Sequence, residues 1–304
     1  MTLNFDVIVI GSGAAGITSA IYLKRANINV MMLDGNAPGG QINRVPTIEN
    51  YPGFSNIAGS DLAYNMFMQT QNLGIPYKYG NVIDIKDEKD YKIVKTDTEE
   101  YTCKSVIIAT GRKPKELGLE NEKKLVGRGI SWCAICDGSL FKDKDVLVVG
   151  GGNTALDESL YLSSIAKSVT IVHRSGQFRG EKIMQERVLN NPKIKVLFNS
   201  AVTKLNVENN MLESVQVMNK EDNTESTIKV AGMFIFIGFE PSVTFADNLN
   251  LITDNGYIVV DENMRTNIKG IYACGDVIKK NLYQITTAVS EGSIAAMSAA
   301  SDLE

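Results

Sequence analysis

The chain has 304 residues, which exceeds the usual size of one domain, and this length predicts two domains. Apolar residues make up 44% of the sequence and the net charge is -4, so the composition is that of a folded globular protein without the surplus of Lys and Arg that a nucleic-acid or anionic-membrane surface needs. We therefore expect neither a nucleic-acid nor a membrane partner. The lack of a signal-peptide pattern, and of an apolar run of about twenty residues, predicts a cytoplasmic location.

The first pattern along the chain, from Asp6 to Asp34, is typical of a dinucleotide-binding strand, turn and helix. A buried strand leads into a glycine-rich turn, a helix runs through Ala26, and a second strand over residues 29–33 ends at Asp34. The first glycine of the turn permits a tight bend, the second lets the backbone approach a pyrophosphate, and the third lets the helix pack on the strand. The Asp34 carboxylate can accept hydrogen bonds from an adenosine ribose. The turn consists of Gly11, Ser12, Gly13, Ala14, Ala15 and Gly16.

Two cysteines, Cys133 and Cys136, follow with two residues between them. This spacing suits a reversible disulfide, because neighbouring sulfurs close a small ring and one thiolate is stabilised. We expect no metal site, since there is no second pair of this kind and His173 is the sole histidine. The single histidine also argues against Ser-His-Asp hydrolysis and Cys-His proteolysis. Asp137, beside the pair, is either the acid that moves the protons of dithiol chemistry or the cap of a turn before Gly138.

A second strand, glycine-rich turn and helix run from Asp145 to Arg174. The second strand of this unit ends at His173 and Arg174 instead of at an acid. A carboxylate would repel a ribose 2′-phosphate, whereas Arg174, with Arg179 nearby, can pair with one, so the site favours NADPH over NADH. The alternative is that both arginines are solvated surface residues. The turn consists of Gly150, Gly151, Gly152, Asn153, Thr154 and Ala155.

The remaining segments complete the predicted architecture. Short alternating runs between Lys195 and Phe239 predict an antiparallel meander attached to the second unit. Residues 112–118 and 240–241 are candidate linkers, and we expect residues 271–276 and a small-residue helix over residues 284–300 to return to the first domain. The predicted fold class is α/β, with two Rossmann-like, three-layer ββα dinucleotide-binding domains, the second inserted in the first.

With two nucleotide turns flanking a Cys-x-x-Cys-Asp-Gly segment, the sequence resembles bacterial low-molecular-weight thioredoxin reductases, of the FAD-dependent pyridine nucleotide-disulfide oxidoreductases, over essentially its whole length. The resemblance implies an FAD-binding domain at residues 1–114 and 242–304. It also implies an inserted NADPH-binding domain at residues 115–241 that carries a redox-active disulfide. The motifs that carry the resemblance are Gly11 to Gly16, Gly39-Gly40-Gln41, Asn50-Tyr51-Pro52-Gly53, Ala109-Thr110-Gly111, Gly127-Arg128-Gly129, Cys133 to Gly138, Gly150 to Ala155, His173-Arg174 and Gly275-Asp276.

Site residues are implied by the same resemblance. Cys136 would face the flavin, Cys133 would exchange with thioredoxin, and Asp137 would act as the acid. Besides the first turn and Asp34, the residues implied at FAD are Gly39, Gly40, Gln41, Asn50, Val82, Ala109, Thr110, Gly111, Asp276, Gln284 and Ile285. Those implied at NADPH are Gly152, Asn153, Thr154, His173, Arg174, Arg179 and Gly238. Members of this family are similar in being homodimers that rotate one domain against the other, so that nicotinamide and disulfide take turns at the flavin.

Two positions differ from the usual family pattern. Ser175 follows Arg174 where the family has a second arginine, and Tyr283 precedes Gln284 where the family has Arg. The sequence therefore predicts an NADPH-dependent thioredoxin-disulfide reductase and leaves two alternatives open. One keeps the disulfide chemistry with ferredoxin or NADH as the electron donor, and the other is a flavin dithiol oxidase.

Overall fold

The computed structural model describes residues 4–45 and 47–304, and it divides the chain into two compact units. The first unit comprises the chain up to Lys113 together with Glu240–Glu304, and the second comprises Pro114–Phe239. The second unit is therefore inserted into the first, as the fold prediction requires. Within the described ranges, no helix is long and apolar enough to cross a membrane.

The described residues form six α-helices and nineteen β-strands. The helices are α1 (Ala14–Arg25), α2 (Gly59–Asn72), α3 (Ala134–Asp137), α4 (Asn153–Ile165), α5 (Lys182–Leu189) and α6 (Ile285–Ser301). The strands are β1 (Phe5–Ile10), β2 (Val30–Asp34), β3 (Tyr77–Tyr79), β4 (Val82–Glu88), β5 (Tyr91–Thr96), β6 (Glu100–Ile108), β7 (Arg112–Pro114), β8 (Ile130–Ser131), β9 (Asp145–Gly150), β10 (Ser168–Val172), β11 (Ile194–Leu197), β12 (Ser200–Glu208), β13 (Met211–Asn219), β14 (Glu225–Lys229), β15 (Gly232–Phe236), β16 (Phe239–Pro241), β17 (Thr253–Asp254), β18 (Tyr257–Ile258) and β19 (Ile271–Ala273).

The first unit is built on a parallel sheet in the order β3-β2-β1-β6-β19. The first half of β6 also pairs with β5, and β5 pairs with β4, which makes an antiparallel meander. Val7 and Val9 pack against the helices, whereas Ile8 and Ile10 pack against the meander and the chain that follows β16. A parallel strand covered on both faces is apolar, which is why the buried part of β1, residues 7–10, is an unbroken apolar run. The result is three layers: helices, parallel sheet and meander.

The C-terminal helix is fixed to the N-terminal helix by small residues. A Cβ added at Gly292 of α6 would lie 2.3 Å from the carbonyl oxygen of Ala15 in α1. The Ser19 hydroxyl lies 2.9 Å from the carbonyl oxygen of Gly292, so a side chain also ties the two backbones together. This close approach brings the last helix back to the first strand unit, which confirms the expected return of residues 271–276 and 284–300.

The second unit repeats the plan with the parallel order β11-β10-β9-β15-β8. Val146 and Val148 of β9 pack against the helix layer, and Leu147 and Val149 pack against the layer that contains β12, β13 and β14. Those three strands form the antiparallel meander that the alternating runs predict. The predicted fold class is confirmed for both units.

Candidate active site

The glycine-rich turn of the first unit lies at the carboxyl edge of its parallel sheet, between β1 and α1. Gly11 has a φ of 105°, and a Cβ there would lie 2.3 Å from the carbonyl oxygen of Ala109, so this position needs glycine. A Cβ at Gly16 would lie 1.9 Å from the carbonyl oxygen of Gly11. At Gly13, by contrast, a Cβ would meet no described atom within 4 Å. No contact among the described residues therefore requires glycine at position 13. A pyrophosphate would approach the backbone through this open space.

The start of α1 is free to bind an anion. Gly13 is its N-cap residue in an extended conformation, and no side chain of the described residues caps the helix there. Helix N-terminal amides without such a cap bind phosphate groups. Asp34 closes the site at the end of β2: its Oδ2 accepts hydrogen bonds from the backbone N–H and the hydroxyl of Ser12, both at 2.7 Å. Its Oδ1 accepts the Asn36 N–H at 2.8 Å and the Asn36 side-chain amide at 3.4 Å, so a ribose hydroxyl would replace one of these donors.

Other sequence-predicted flavin residues lie at the same edge. The Gly39 N–H donates to the carbonyl oxygen of Ser12 at 2.7 Å, and a Cβ on Gly40 would lie 3.6 Å from the Cα of Gly13. The Gln41 amide donates to the carbonyl oxygen of Arg112 at 2.8 Å. The structure therefore brings the Gly39-Gly40-Gln41 motif against the first turn.

A second group of these residues surrounds the end of β6 and the start of α6. The Ala109 N–H donates to the carbonyl oxygen of Ile10 at 2.7 Å, and the Thr110 hydroxyl donates to that of Ser242 at 2.6 Å. The Asn50 amide donates to Gln284 Oε1 at 3.3 Å, which joins two predicted residues from distant parts of the sequence. Gly111 follows Thr110, Ile285 is the first residue of α6, and Val82 is the first residue of β4.

Asp276 lies in an ion-pair network that the sequence did not predict. Its Oδ2 accepts a hydrogen bond from Arg112 Nη2 at 2.9 Å, and Lys280 Nζ lies 3.3 Å from its Oδ1. Lys280 also donates to Glu291 at 2.8 Å; burial raises the pKa of the Glu291 carboxyl, and Lys280 opposes that rise. The guanidinium of Arg112 stacks on the ring of Tyr283, 4.1 Å from its centroid. Tyr283 thus replaces the usual family arginine with an aromatic face for Arg112.

The second unit has an equivalent glycine-rich turn between β9 and α4. Gly150 has a φ of 147°, and a Cβ there would lie 2.4 Å from the carbonyl oxygen of Phe236. A Cβ at Gly152 would meet no described atom within 4 Å, and Gly152 is the extended N-cap of α4, which no described side chain caps. Asn153 and Thr154 form the exposed first turn of this helix. The turn therefore has the same open, anion-binding geometry as the first one.

Of the NADPH-binding residues predicted outside the turn, His173 is buried, whereas Arg174, Arg179 and Gly238 are exposed. His173 is 2% exposed, and a Cβ on Gly151 would lie 2.4 Å from its ring, so the imidazole packs directly against the backbone of the turn. Burial lowers the pKa of His173, which favours the neutral ring. Arg174 and Arg179 are exposed, and the Arg179 N–H donates to the carbonyl oxygen of Gly151 at 2.8 Å. Gly238 is exposed after β15, which is the parallel neighbour of β9.

Cys133 and Cys136 form a disulfide at the start of the short helix α3. Cys133 is 8% exposed, whereas Cys136 is exposed. The Cys136 N–H donates to the Cys133 sulfur at 3.2 Å. A helix N-terminal amide directed at a sulfur stabilises the thiolate that forms on reduction.

Asp137 is held next to this disulfide by Ser131, a residue that sequence reasoning missed. The Ser131 hydroxyl donates to Asp137 Oδ2 at 2.6 Å, and its oxygen accepts the N–H of Cys133 at 3.0 Å. Asp137 is half-buried and lies within α3, so the carboxylate is linked through one hydroxyl to the backbone of a redox cysteine. No motif signalled Ser131, because its role depends on the strand β8 that positions it.

Comparison with known proteins identifies the family. The pyridine nucleotide-disulphide oxidoreductase family matches residues 5–292. The chain is 42% identical over 294 residues to thioredoxin reductase from Bacillus subtilis, with 97% of this chain and 93% of that protein covered. It is similar to the crystal structure of Lactococcus lactis thioredoxin reductase, with a TM-score of 0.90, 39% identity and 99% of each chain covered. It is also similar to the crystal structure of T. acidophilum thioredoxin reductase, with a TM-score of 0.86, 34% identity and 98% of each chain covered. The chain belongs to the pyridine nucleotide-disulphide oxidoreductase family.

Proposed function

We propose that this protein is a flavin-dependent thioredoxin-disulfide reductase that passes electrons from NADPH through FAD to the Cys133–Cys136 disulfide and on to thioredoxin. The observation that carries the proposal is this disulfide, formed by the two cysteines that the sequence singles out, with one sulfur exposed and an N–H directed at the other. The full-length similarity to proteins named thioredoxin reductase supports the same substrate. We also propose a cytoplasmic homodimer, as in the family it resembles.

The first unit is proposed to bind FAD through residues 1–114 and 242–304. The open position at Gly13, the uncapped start of α1 and the Asp34 carboxylate fit a pyrophosphate and an adenosine ribose. Gln41 and Asp276, fixed by their hydrogen bonds to Arg112, lie at the same edge and suit the remainder of the cofactor. Bound flavin supplies the conversion between two-electron transfer from a nicotinamide and reduction of a disulfide.

The second unit, residues 115–241, is proposed to bind the nicotinamide donor. Gly152 leaves the same open space over an uncapped helix start. His173 and Arg174, instead of an acid, follow the end of β10, and Arg174 and Arg179 are both exposed, so they suit the 2′-phosphate of NADPH. The His173 ring packs against Gly151, and Gly238 follows β15, the parallel neighbour of β9.

Proton movement at the disulfide is assigned to Asp137. Two electrons break the bond between Cys133 and Cys136, and the two sulfur anions that remain take up as many as two protons. Asp137, oriented by the Ser131 hydroxyl, delivers and receives one of them. The Cys133 thiolate then attacks the disulfide of thioredoxin, and because Cys133 is 8% exposed in the oxidised pair, this step requires the reduced centre to open towards the partner. Cys136 resolves the mixed disulfide, which returns the pair to the oxidised state.

The test compares two serine variants with the wild-type protein. Cys136→Ser must abolish thioredoxin reduction and trap a mixed disulfide between Cys133 and thioredoxin, whereas Cys133→Ser must abolish turnover without forming that adduct. Both variants must still bind FAD. Thioredoxin reduction by Cys136→Ser at the wild-type rate would refute the proposal. Reduction that proceeds with ferredoxin or NADH, but not with NADPH, would keep the disulfide chemistry and replace the donor.

A further inference from the structure

Glu158 is a half-buried acid on α4, the helix packed against the short helix α3 that carries Cys136. The helix α3 packs on α4, and the turn after it is so close that a Cβ on Gly138 would lie 3.3 Å from the ring of Tyr161 and 3.4 Å from Leu162. The backbone N–H of Ala134, the first residue of α3, interacts favourably with the Glu158 carboxylate and acts to lower its pKa. Ala134 itself is fully buried.

One carboxylate oxygen of Glu158 lacks a partner. Its Oε2 is buried and makes no hydrogen bond to any of the residues that the structure describes. A buried, unpaired carboxylate oxygen is costly, and protonation removes much of that cost. The pKa of Glu158 is accordingly raised to about 7, chiefly by burial; the Ala134 N–H opposes the rise and the neighbouring charge of Asp157 adds to it. The group therefore titrates in the range where dithiol chemistry operates.

We infer that Glu158 is a positioning residue of the disulfide centre whose carboxyl group takes up a proton when the Cys133–Cys136 bond is reduced. Reduction by two electrons breaks the S–S bond and leaves negative sulfur at the start of α3, the helix packed against the one that carries Glu158. The new charge opposes the charge on Glu158, so the carboxylate binds a proton from solvent and the thiolate is retained. On reoxidation the thiolate charge disappears and Glu158 releases that proton.

Other ionisable groups on the surrounding elements do not provide this link. Asp157 is exposed and adjacent on the same helix, and its charge acts on Glu158 in the direction that aids protonation. The titratable or charged groups on the elements packed against α4 are Cys133, Cys136 and Asp137 of α3, Lys182, Glu186 and Arg187 of α5, and Asp145 of β9. Among these, the two cysteines are the groups whose charge changes with the redox state.

The test measures how fast iodoacetamide alkylates the dithiothreitol-reduced cysteines of the full-length flavoprotein between about pH 5.5 and 10. The wild-type profile must be broad, with two steps, because the thiol and Glu158 titrate together. Glu158→Gln keeps an acceptor for the Ala134 N–H but carries no charge, so its profile must have one step, lower by about 0.5 unit or more, with alkylation near pH 7.5 about threefold faster. The two profiles must converge at the acid end.

The matched control is Asp157→Asn, which removes an exposed charge next to Glu158 and must retain the two-step profile. If Glu158→Gln does not retain FAD, Glu158→Leu takes its place, and its alkylation profile must show the same single, lowered step. The infrared difference between oxidised and reduced wild-type protein near pH 7.5 must show protonation of a carboxyl group, and that signal must be missing in Glu158→Gln. Superimposable wild-type and Glu158→Gln profiles, or absence of that infrared signal, would overturn the inference.

The inference rests on the proposed function only in taking the pair to cycle between disulfide and dithiol. Chemical reduction and alkylation need neither NADPH nor thioredoxin. A protein that fails to reduce thioredoxin but shows the shifted profile in Glu158→Gln would therefore refute the proposed function and leave the role of Glu158 intact.

Discussion

Replacing Gly13 and Gly16 by alanine separates cofactor binding from folding. At Gly13 the backbone is extended, with φ -76° and ψ -173°, and a Cβ would meet no described atom within 4 Å. Gly13→Ala should therefore change the free energy of unfolding of the flavin-free protein by less than about 1 kcal/mol. At Gly16 the Cβ would lie 1.9 Å from the carbonyl oxygen of Gly11, well inside a normal contact. Gly16→Ala should cost about 3 kcal/mol or more.

The affinity for FAD, unlike the stability, should fall in Gly13→Ala. The methyl group of Gly13→Ala occupies the space through which a pyrophosphate reaches the helix amides, and loss of two such hydrogen bonds lowers FAD affinity by about a hundredfold. Urea unfolding of the flavin-stripped protein measures stability, and fluorescence titration with FAD measures affinity. Wild-type FAD affinity in Gly13→Ala would refute the placement of the pyrophosphate over this turn.

Three further predictions concern the donor site, the disulfide and the C-terminus. Arg174→Ala should raise the KM for NADPH about tenfold and leave that for NADH unchanged, because one charge-assisted contact to the 2′-phosphate is lost; equal effects in steady-state assays would refute the pairing. Ser131→Ala should slow thioredoxin reduction about tenfold by releasing Asp137, while stopped-flow flavin reduction by NADPH keeps its wild-type rate. Hydrogen bonding from Arg265 lowers the pKa of Asp302 to about 2, so its contribution to stability is present above about pH 4 and lost towards pH 2; urea unfolding of Asp302→Asn should lack that pH dependence.

Local patterns predicted the parts of the fold whose residues interact with near neighbours. The β1 strand, the turn at Gly11 to Gly16 and α1 follow one another in sequence, and so do β9, the second turn and α4. The second strand predicted for the second unit is β10, which ends at Val172, immediately before His173. The helices α2 and α5 were not predicted, because their apolar faces are short and much of each helix is exposed.

The sequence predicted only part of the chemistry of the site, because the roles of some residues depend on tertiary packing. The cysteine spacing predicted the disulfide that the structure contains. Ser131 on β8 interacts with Asp137, and Glu158 on α4 interacts with Ala134. No spacing in the sequence predicts either of these two interactions. His173 was interpreted from its place beside Arg174, whereas burial of its ring beneath Gly151 became evident only from the packed structure.

The most direct test of the central claim is an anaerobic titration of the purified flavoprotein with NADPH, followed by addition of oxidised thioredoxin. Flavin absorbance must fall on addition of NADPH and recover as thioredoxin is reduced, and Cys136→Ser must show the fall without thioredoxin-dependent recovery. A flavin that NADPH does not reduce, or one that transfers its electrons to thioredoxin without Cys136, would contradict the account.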